Sequence, residues 1–174
     1  MPKIIENVRA KLLEEARRQI EENGYKETTV RSVAAALSIG LGTLYNYFES
    51  KDMLVASFML EDWNSTMNKM HSRLDSALTP HQKLRFIFEG LYEYSEDHKK
   101  LFKDPSARKV FSHTMEERHP MLLSQISTMV LPIVDSSDVE NKKLLADYIS
   151  ESLLTWSATG RKYDELEPIF NKLI

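Results

Sequence analysis

The segment from Thr28 to Leu54, TTVRSVAAALSIGLGTLYNYFESKDML, limits the fold more than any other part of the chain. Thr28 and Thr29 carry hydroxyls able to cap free amide groups ahead of a helix. Val30, Val33, Ala34 and Leu37 follow at spacings of three and four, which gives that helix one apolar face. Gly40 and Gly42 then sit two apart in Ser38-Ile39-Gly40-Leu41-Gly42, where freedom to adopt unusual backbone angles predicts a turn. Gly42 to Phe48 reads as a second, shorter helix, with Tyr45, Asn46 and Tyr47 around the apolar Leu44 and Phe48. Helix, tight turn and short helix is the layout of a helix-turn-helix reader of DNA.

Around this segment the pattern is helical throughout. A first helix is expected from about Ile4 to Asn23, with Ile5, Val8, Leu12, Ala16 and Ile20 inward and Gly24 at its end. A long helix is expected from Lys51 to about Leu78, and the next from Pro80 to just before Pro105. Ser106 to about Glu116 predicts a short helix, and Pro120 the start of another that fades at residues 135–138. Two amphipathic helices, Val139 to about Thr159 and Asp164 to Ile174, end the sequence. No stretch alternates with period two and no internal repeat is found. The expected fold class is all-α: a three-helix DNA-binding head, residues 1–50, and a helical-bundle body, residues 51–174.

Composition narrows the functions available. With 174 residues, 42% hydrophobic and 28% charged, the chain can form one modest domain or two small ones. It has no cysteine, which excludes disulfides, thiolate nucleophiles and cysteine-based zinc sites. The first residues are too charged for a signal peptide, and the longest apolar run, at 129–134, is broken by Pro132. No membrane partner and a cytoplasmic location are therefore expected. Five histidines are scattered without metal-ligand spacing. His113, Glu116, Glu117 and His119 lie close in sequence but read as a solvated helix end. Neither a nucleophile elbow nor a phosphate loop is present, so no enzyme activity, metal or cofactor is expected. The net charge is −3. Residues 1–52 hold eight Lys/Arg and eight Asp/Glu. Affinity for DNA must therefore come from a few placed side chains, not from a basic composition.

Gly42 to Phe48, followed by Ser50, Lys51 and Leu54, resembles the signature of TetR-type transcriptional regulators. Gly24, Tyr25, Thr28 to Arg31 and Ala34 extend the resemblance upstream, over about the first third of the chain. The resemblance implies a homodimer whose heads bind a palindromic double-stranded DNA operator and whose bodies hold a small-molecule ligand, binding of which releases the DNA. Carried over by position, Thr29 and Lys51 contact phosphates and Arg31 reaches a base edge. The recognition helix presents Leu41, Gly42, Thr43, Tyr45, Asn46 and Tyr47. Asn46 suits paired hydrogen bonds to adenine, and tyrosine hydroxyls suit phosphate oxygens. Two departures stand out. Ser38-Ile39-Gly40 replaces the family's usual Gly-Val-Ser, which removes a hydroxyl cap. Leu41 replaces a polar residue and leaves only an apolar contact.

The resemblance further implies a pocket for an apolar or amphiphilic ligand among Trp63, Met67, Met70, Phe88, Tyr92, Phe111, Met115, Met129 and Trp156. The same residues would equally serve as ordinary core. Leu145, Ile149, Leu153, Leu166, Ile169, Phe170 and Leu173, on the last two helices, are expected to form a four-helix interface with a second copy, or else to pack internally. The expected function is a ligand-responsive transcriptional repressor. The alternative is a helical module that binds a small molecule or a protein and never touches DNA.

Overall fold

The computed structural model describes residues 7–74 and 78–174, and for residues 111–117 the backbone alone. The helices are α1 (Val8–Asn23), α2 (Val30–Ala36), α3 (Leu41–Tyr45), α4 (Lys51–Arg73), α5 (Pro80–Asp97), α6 (Lys99–Lys103), α7 (Pro105–Val130), α8 (Lys142–Ala158) and α9 (Glu167–Phe170). A 3-10 turn at Tyr163–Glu165 precedes α9, and no strand occurs among the described residues. The chain is all-α, as its periodicity predicted. None of the described helices is long and apolar enough to cross a membrane.

The residues pack as two units. The first runs to Asp62 and takes in His98–Ser112; the second is Trp63–Asp97 with His113–Ile174. Packing thus divides α4 between Asp62 and Trp63, while the boundary read from the sequence lies between Ser50 and Lys51.

In the first unit, α1 buries Leu12, Leu13, Ala16 and Ile20 against Val33 and Ala34 of α2, Leu44 of α3, and Leu54, Val55 and Phe58 of α4. Leu12, Ala16 and Ile20 follow the predicted stripe, Val8 is half-buried, and Ile5 lies outside the described residues. The head is more than three helices. Leu101 and Ala107 complete its core from the returning segment, and the Lys100 ammonium donates to the Glu21 carbonyl at 2.5 Å. A polar clasp fastens the same segment. Arg17 donates to both carboxylate oxygens of Asp62, at 3.1 and 2.6 Å, and His98 Nε2 lies 3.1 Å from Asp62 Oδ2. The Arg17 guanidinium also lies over the Phe58 ring, 5.3 Å from its centre.

In the second unit, Leu84, Ile87, Phe88 and Leu91 of α5 share a core with Ile126 and Val130 of α7, and with Leu145, Ala146, Ile149 and Leu153 of α8. Tyr163, Leu166 and Phe170 close it. Gly90 permits a close approach: a β-carbon there would lie 2.6 Å from Met70 Sδ. Arg85 pins the final turn through Asp164 at 2.9 Å and Glu167 at 3.0 Å.

Two helix expectations are corrected. Pro120 does not start a helix; it lies inside α7, which is continuous from Pro105 to Val130. A proline there forfeits one backbone hydrogen bond, and its ring sits on an exposed position. The final helix is not eleven residues long. It reduces to the 3-10 turn and the four residues of α9. Pro168, in the first turn of α9, is favoured at a helix start and cannot continue a helix from upstream.

Candidate functional site

The helix-turn-helix is built from its caps. Thr29 is extended (φ −131°, ψ 154°), and its hydroxyl accepts the Ser32 N–H at 3.0 Å while Ser32 Oγ accepts the Thr29 N–H at 3.0 Å. This reciprocal box starts α2. The turn is not made by the glycines. Ser38 takes the left-handed conformation (φ 56°), its N–H donates to the Ala35 carbonyl at 3.0 Å, and the Ile39 N–H donates to Ala34 at 3.0 Å. Gly40 is extended (φ −67°, ψ 143°) and caps α3 with no side-chain hydrogen bond. The missing hydroxyl cap predicted at this position is thus real. Its carbonyl accepts the Thr43 N–H at 2.9 Å.

Two faces of α3 then separate cleanly. Leu44 is fully buried and Phe48 nearly so, and the Arg9 guanidinium lies 5.6 Å from the centre of the Phe48 ring. On the other side Gly42, Thr43, Tyr45, Asn46 and Tyr47 are exposed, as is Arg31 on α2. Tyr45 and Tyr47 leave 47% and 48% of their surface in solvent. Leu41 is half-buried against the head core, so only part of it faces outward. Thr29 is exposed and retains its hydroxyl hydrogen for donation, because its oxygen acts as the cap acceptor.

Lys51 is held more tightly than the sequence suggested. Its ammonium donates to the Tyr25 carbonyl at 2.8 Å and lies 3.8 Å from the centre of the Tyr25 ring. Burial lowers its pKa. Tyr25 is buried, and its hydroxyl donates to Asp52; burial first, then that carboxylate, push its pKa up. Lys51 therefore locks the α1–α2 connection to the start of α4, with two of its three ammonium hydrogens left for another acceptor.

In the second unit an open cleft of about 480 Å³ runs between α4 and α7. Asn64, Met67, Asn68 and His71 line one side and Gln125, Thr128 and Met129 the other. Of the nine residues predicted for a pocket, Met67 and Met129 line this cleft. Trp63 lies behind it, donating its indole N–H to Gln125 Oε1 at 2.6 Å. Met70 and Phe88 are buried core, Tyr92 is exposed and Trp156 half-buried. The side chains of Phe111 and Met115 lie outside the described residues. The search for aromatic and sulfur side chains overlooked the polar wall. Its signal was present: residues 64, 67, 68 and 71 repeat at helical spacing on one face. Among the described residues no group of acidic and histidine side chains could hold a metal. His119 faces Glu151 at 2.9 Å, while the side chains of His113, Glu116 and Glu117 lie outside the described residues.

The residues expected at a dimer interface need correction. Leu145, Ile149, Leu153, Leu166 and Phe170 are buried within their own unit, so they cannot meet a second copy without unfolding. They supply the internal packing that the sequence left as the other option. Ile169 is exposed and Leu173 half-buried. The accessible apolar side chains of α8 lie on its opposite face: Leu144 and Tyr148, 64% and 55% exposed.

Comparisons with known proteins agree with this geometry. Residues 12–58 match the profile of the family described as "Bacterial regulatory proteins, tetR family". The "HTH-type transcriptional repressor KstR2" of Mycolicibacterium smegmatis is 32% identical over 88 residues, which cover 51% of this chain and 43% of that protein. The matched stretch is thus less than half the length of that relative. The "Fatty acid metabolism regulator protein" of Bacillus subtilis is 22% identical over 157 residues, covering 83% of this chain and 81% of its own. Among solved structures, Salmonella enterica GusR superposes with a TM-score of 0.63 at 16% identity, over 91% of this chain and 89% of that one. FadR from Bacillus halodurans gives 0.59 at 17% identity, over 87% and 85%. These two show a shared fold. Over residues 12–58, its helix-turn-helix head, this chain is similar to the tetR family of bacterial regulatory proteins.

Proposed function

We propose that the chain is a DNA-binding transcriptional repressor of the cytoplasm, acting as a homodimer and released from a palindromic operator by a small molecule. The observation that carries the reading is the unspent face of α3. Thr43, Tyr45, Asn46 and Tyr47 are exposed, and none makes a side-chain hydrogen bond to the described residues. Exposed tyrosines at the C-terminal end of the recognition helix and just beyond it, Tyr45 and Tyr47, suit a major groove and its flanking phosphates. The unit that holds the helix-turn-helix, running to Asp62 with His98–Ser112, is the reading head, and Trp63–Asp97 with His113–Ile174 is the ligand-binding and dimerisation body. Leu144 and Tyr148 supply the self-contact in place of the buried leucines and isoleucine. Ligand bound to the body favours a head spacing that no longer fits the operator, which is coupling through differential affinity for two states. No catalytic step belongs to this reading.

The contact assignment is tested with Tyr47→Ala and Lys51→Ala proteins. Tyr47→Ala should fold normally and bind the operator at least tenfold more weakly. Lys51→Ala should also flatten the salt dependence of binding. Folded variants that bind as well as the parent would remove these residues from the interface.

A further inference from the structure

We propose that the α4–α7 cleft recognises an uncharged amphiphile through a carbonyl acceptor, and that Gln125 is the donor that reads it. This rests on the chain being ligand-responsive and adds the chemistry of the ligand. Trp63 is 2% exposed and its indole N–H donates to Gln125 Oε1 at 2.6 Å. The Tyr94 ring meets Trp63 edge-on, 5.3 Å between centres at 81°. With its oxygen committed to this fixed indole, Gln125 presents its NH2 group as a donor held in place. Thr128 gives its hydroxyl hydrogen to the Ser124 carbonyl at 2.9 Å, so its oxygen is left to accept. Asn64 and Asn68 make no side-chain hydrogen bond to the described residues.

Among the described residues no Lys, Arg, Asp or Glu lines the cleft, and His71 is the one titratable side chain there. A carboxylate or phosphate entering it would lose water without gaining a fixed cation, and an ammonium would meet no carboxylate. A pure hydrocarbon would cover Gln125 and leave its donor unpaired. A neutral ester, ketone, lactone or amide satisfies Gln125 and lays its alkyl body on Met67 and Met129, whose thioethers adapt to irregular shapes. The volume of about 480 Å³ suits such a molecule.

The test uses the full chain carrying Trp156→Phe, which leaves Trp63 as its one indole. The Trp156 indole N–H is buried without a hydrogen-bond partner among the described residues, so this substitution strands no acceptor there. Octanamide, methyl octanoate, octanoate and octylammonium are titrated while Trp63 fluorescence is recorded. The two neutral probes should give saturable changes, and the two ions should bind at least tenfold more weakly. Gln125→Glu, which can still accept the Trp63 N–H but offers no NH2, should weaken the neutral probes at least tenfold. If Trp156→Phe does not fold, the Trp63 indole N–H resonance of the parent protein reports the same titration. Octanoate binding as well as octanamide, indifference to Gln125→Glu, or no saturable response to any probe would each overturn the proposal.

A parallel titration with operator DNA separates the two levels. Neutral probes that move Trp63 without releasing DNA would contradict the ligand-responsive reading and leave the cleft's chemistry standing. DNA released by a charged probe, with Trp63 unmoved, would do the reverse.

Discussion

Gly42→Ala should strengthen the fold and weaken the binding of DNA, two effects of opposite sign from one methyl group. Gly42 is the second residue of α3, and a β-carbon built there meets no atom within 4 Å. Nothing in the protein therefore requires a glycine at this exposed position. Alanine is favoured over glycine inside a helix by about 1 kcal/mol. A gain of that size corresponds to a rise in Tm of about 2–4 °C for a chain of this length. Against DNA the same methyl points outward from the start of the recognition helix, the part that approaches base edges most closely. Where two surfaces are already in contact, an added methyl costs about 1–3 kcal/mol, or roughly 5- to 150-fold in affinity. Thermal unfolding gives the first number, and fluorescence anisotropy of a labelled operator gives the second. A lower Tm would refute the structural account of Gly42. A higher Tm with unchanged affinity would take Gly42 out of the interface.

Four further outcomes are expected. Gly90→Ala should destabilise the protein by up to about 2 kcal/mol in denaturant unfolding, because its methyl would fall 2.6 Å from Sδ of Met70, itself 1% exposed, and this overpacking of about 1–3 kcal/mol exceeds the about 1 kcal/mol that alanine gains inside a helix; a raised midpoint would contradict the close approach of α5 to α4. Ser38→Gly should raise stability by up to about 1 kcal/mol by relieving the left-handed backbone at φ 56°, and a loss would show that Ser38 is not strained. Asp62→Asn should flatten the acid limb of the stability–pH profile. Burial tends to raise the pKa of Asp62, but hydrogen bonds from His98 and Arg17 outweigh this and hold it below 3.8. Its contribution is therefore fully present above that pH and lost as the pH falls through the lowered value; an unaltered acid limb in the variant would contradict the clasp. Finally, Leu144→Asp with Tyr148→Asp should give a folded monomer by sedimentation, whereas Leu153→Ala should cost about 2–5 kcal/mol of stability as a core truncation; the converse pattern would restore the buried residues to the interface.

The contrast between Leu44 and Tyr45 shows what the sequence made legible. Local spacing alone separated the buried Leu44 and Phe48 from the exposed Tyr45, Asn46 and Tyr47, because one helical face must point inward. The turn was found but attributed to the wrong residues. Gly40 and Gly42 draw the eye, yet the left-handed position falls on Ser38, which a short polar side chain tolerates well enough. Hydrophobic periodicity cannot say whether an apolar face is covered by its own chain or by a second copy. That ambiguity sent Leu145, Ile149 and Leu153 to the interface when the body's own core covers them. Pro120 misled for a related reason: proline is common at helix starts, but it is tolerated within a helix where tertiary packing sustains both halves. The Arg17–Asp62–His98 clasp joins residues too far apart in the chain for any local pattern to reveal.

The central claim is that an exposed face of α3 reads DNA sequence, and selection of binding sites from random duplexes tests it most directly. The purified full chain is equilibrated with the pool at about 0.15 M salt, and the recovered duplexes are sequenced. The account predicts an inverted repeat with half-sites about one helical turn or more apart, and its loss when Tyr45, Asn46 and Tyr47 are replaced by alanine in a folded protein. Recovery of no motif, or of the same motif by the triple variant, would contradict it.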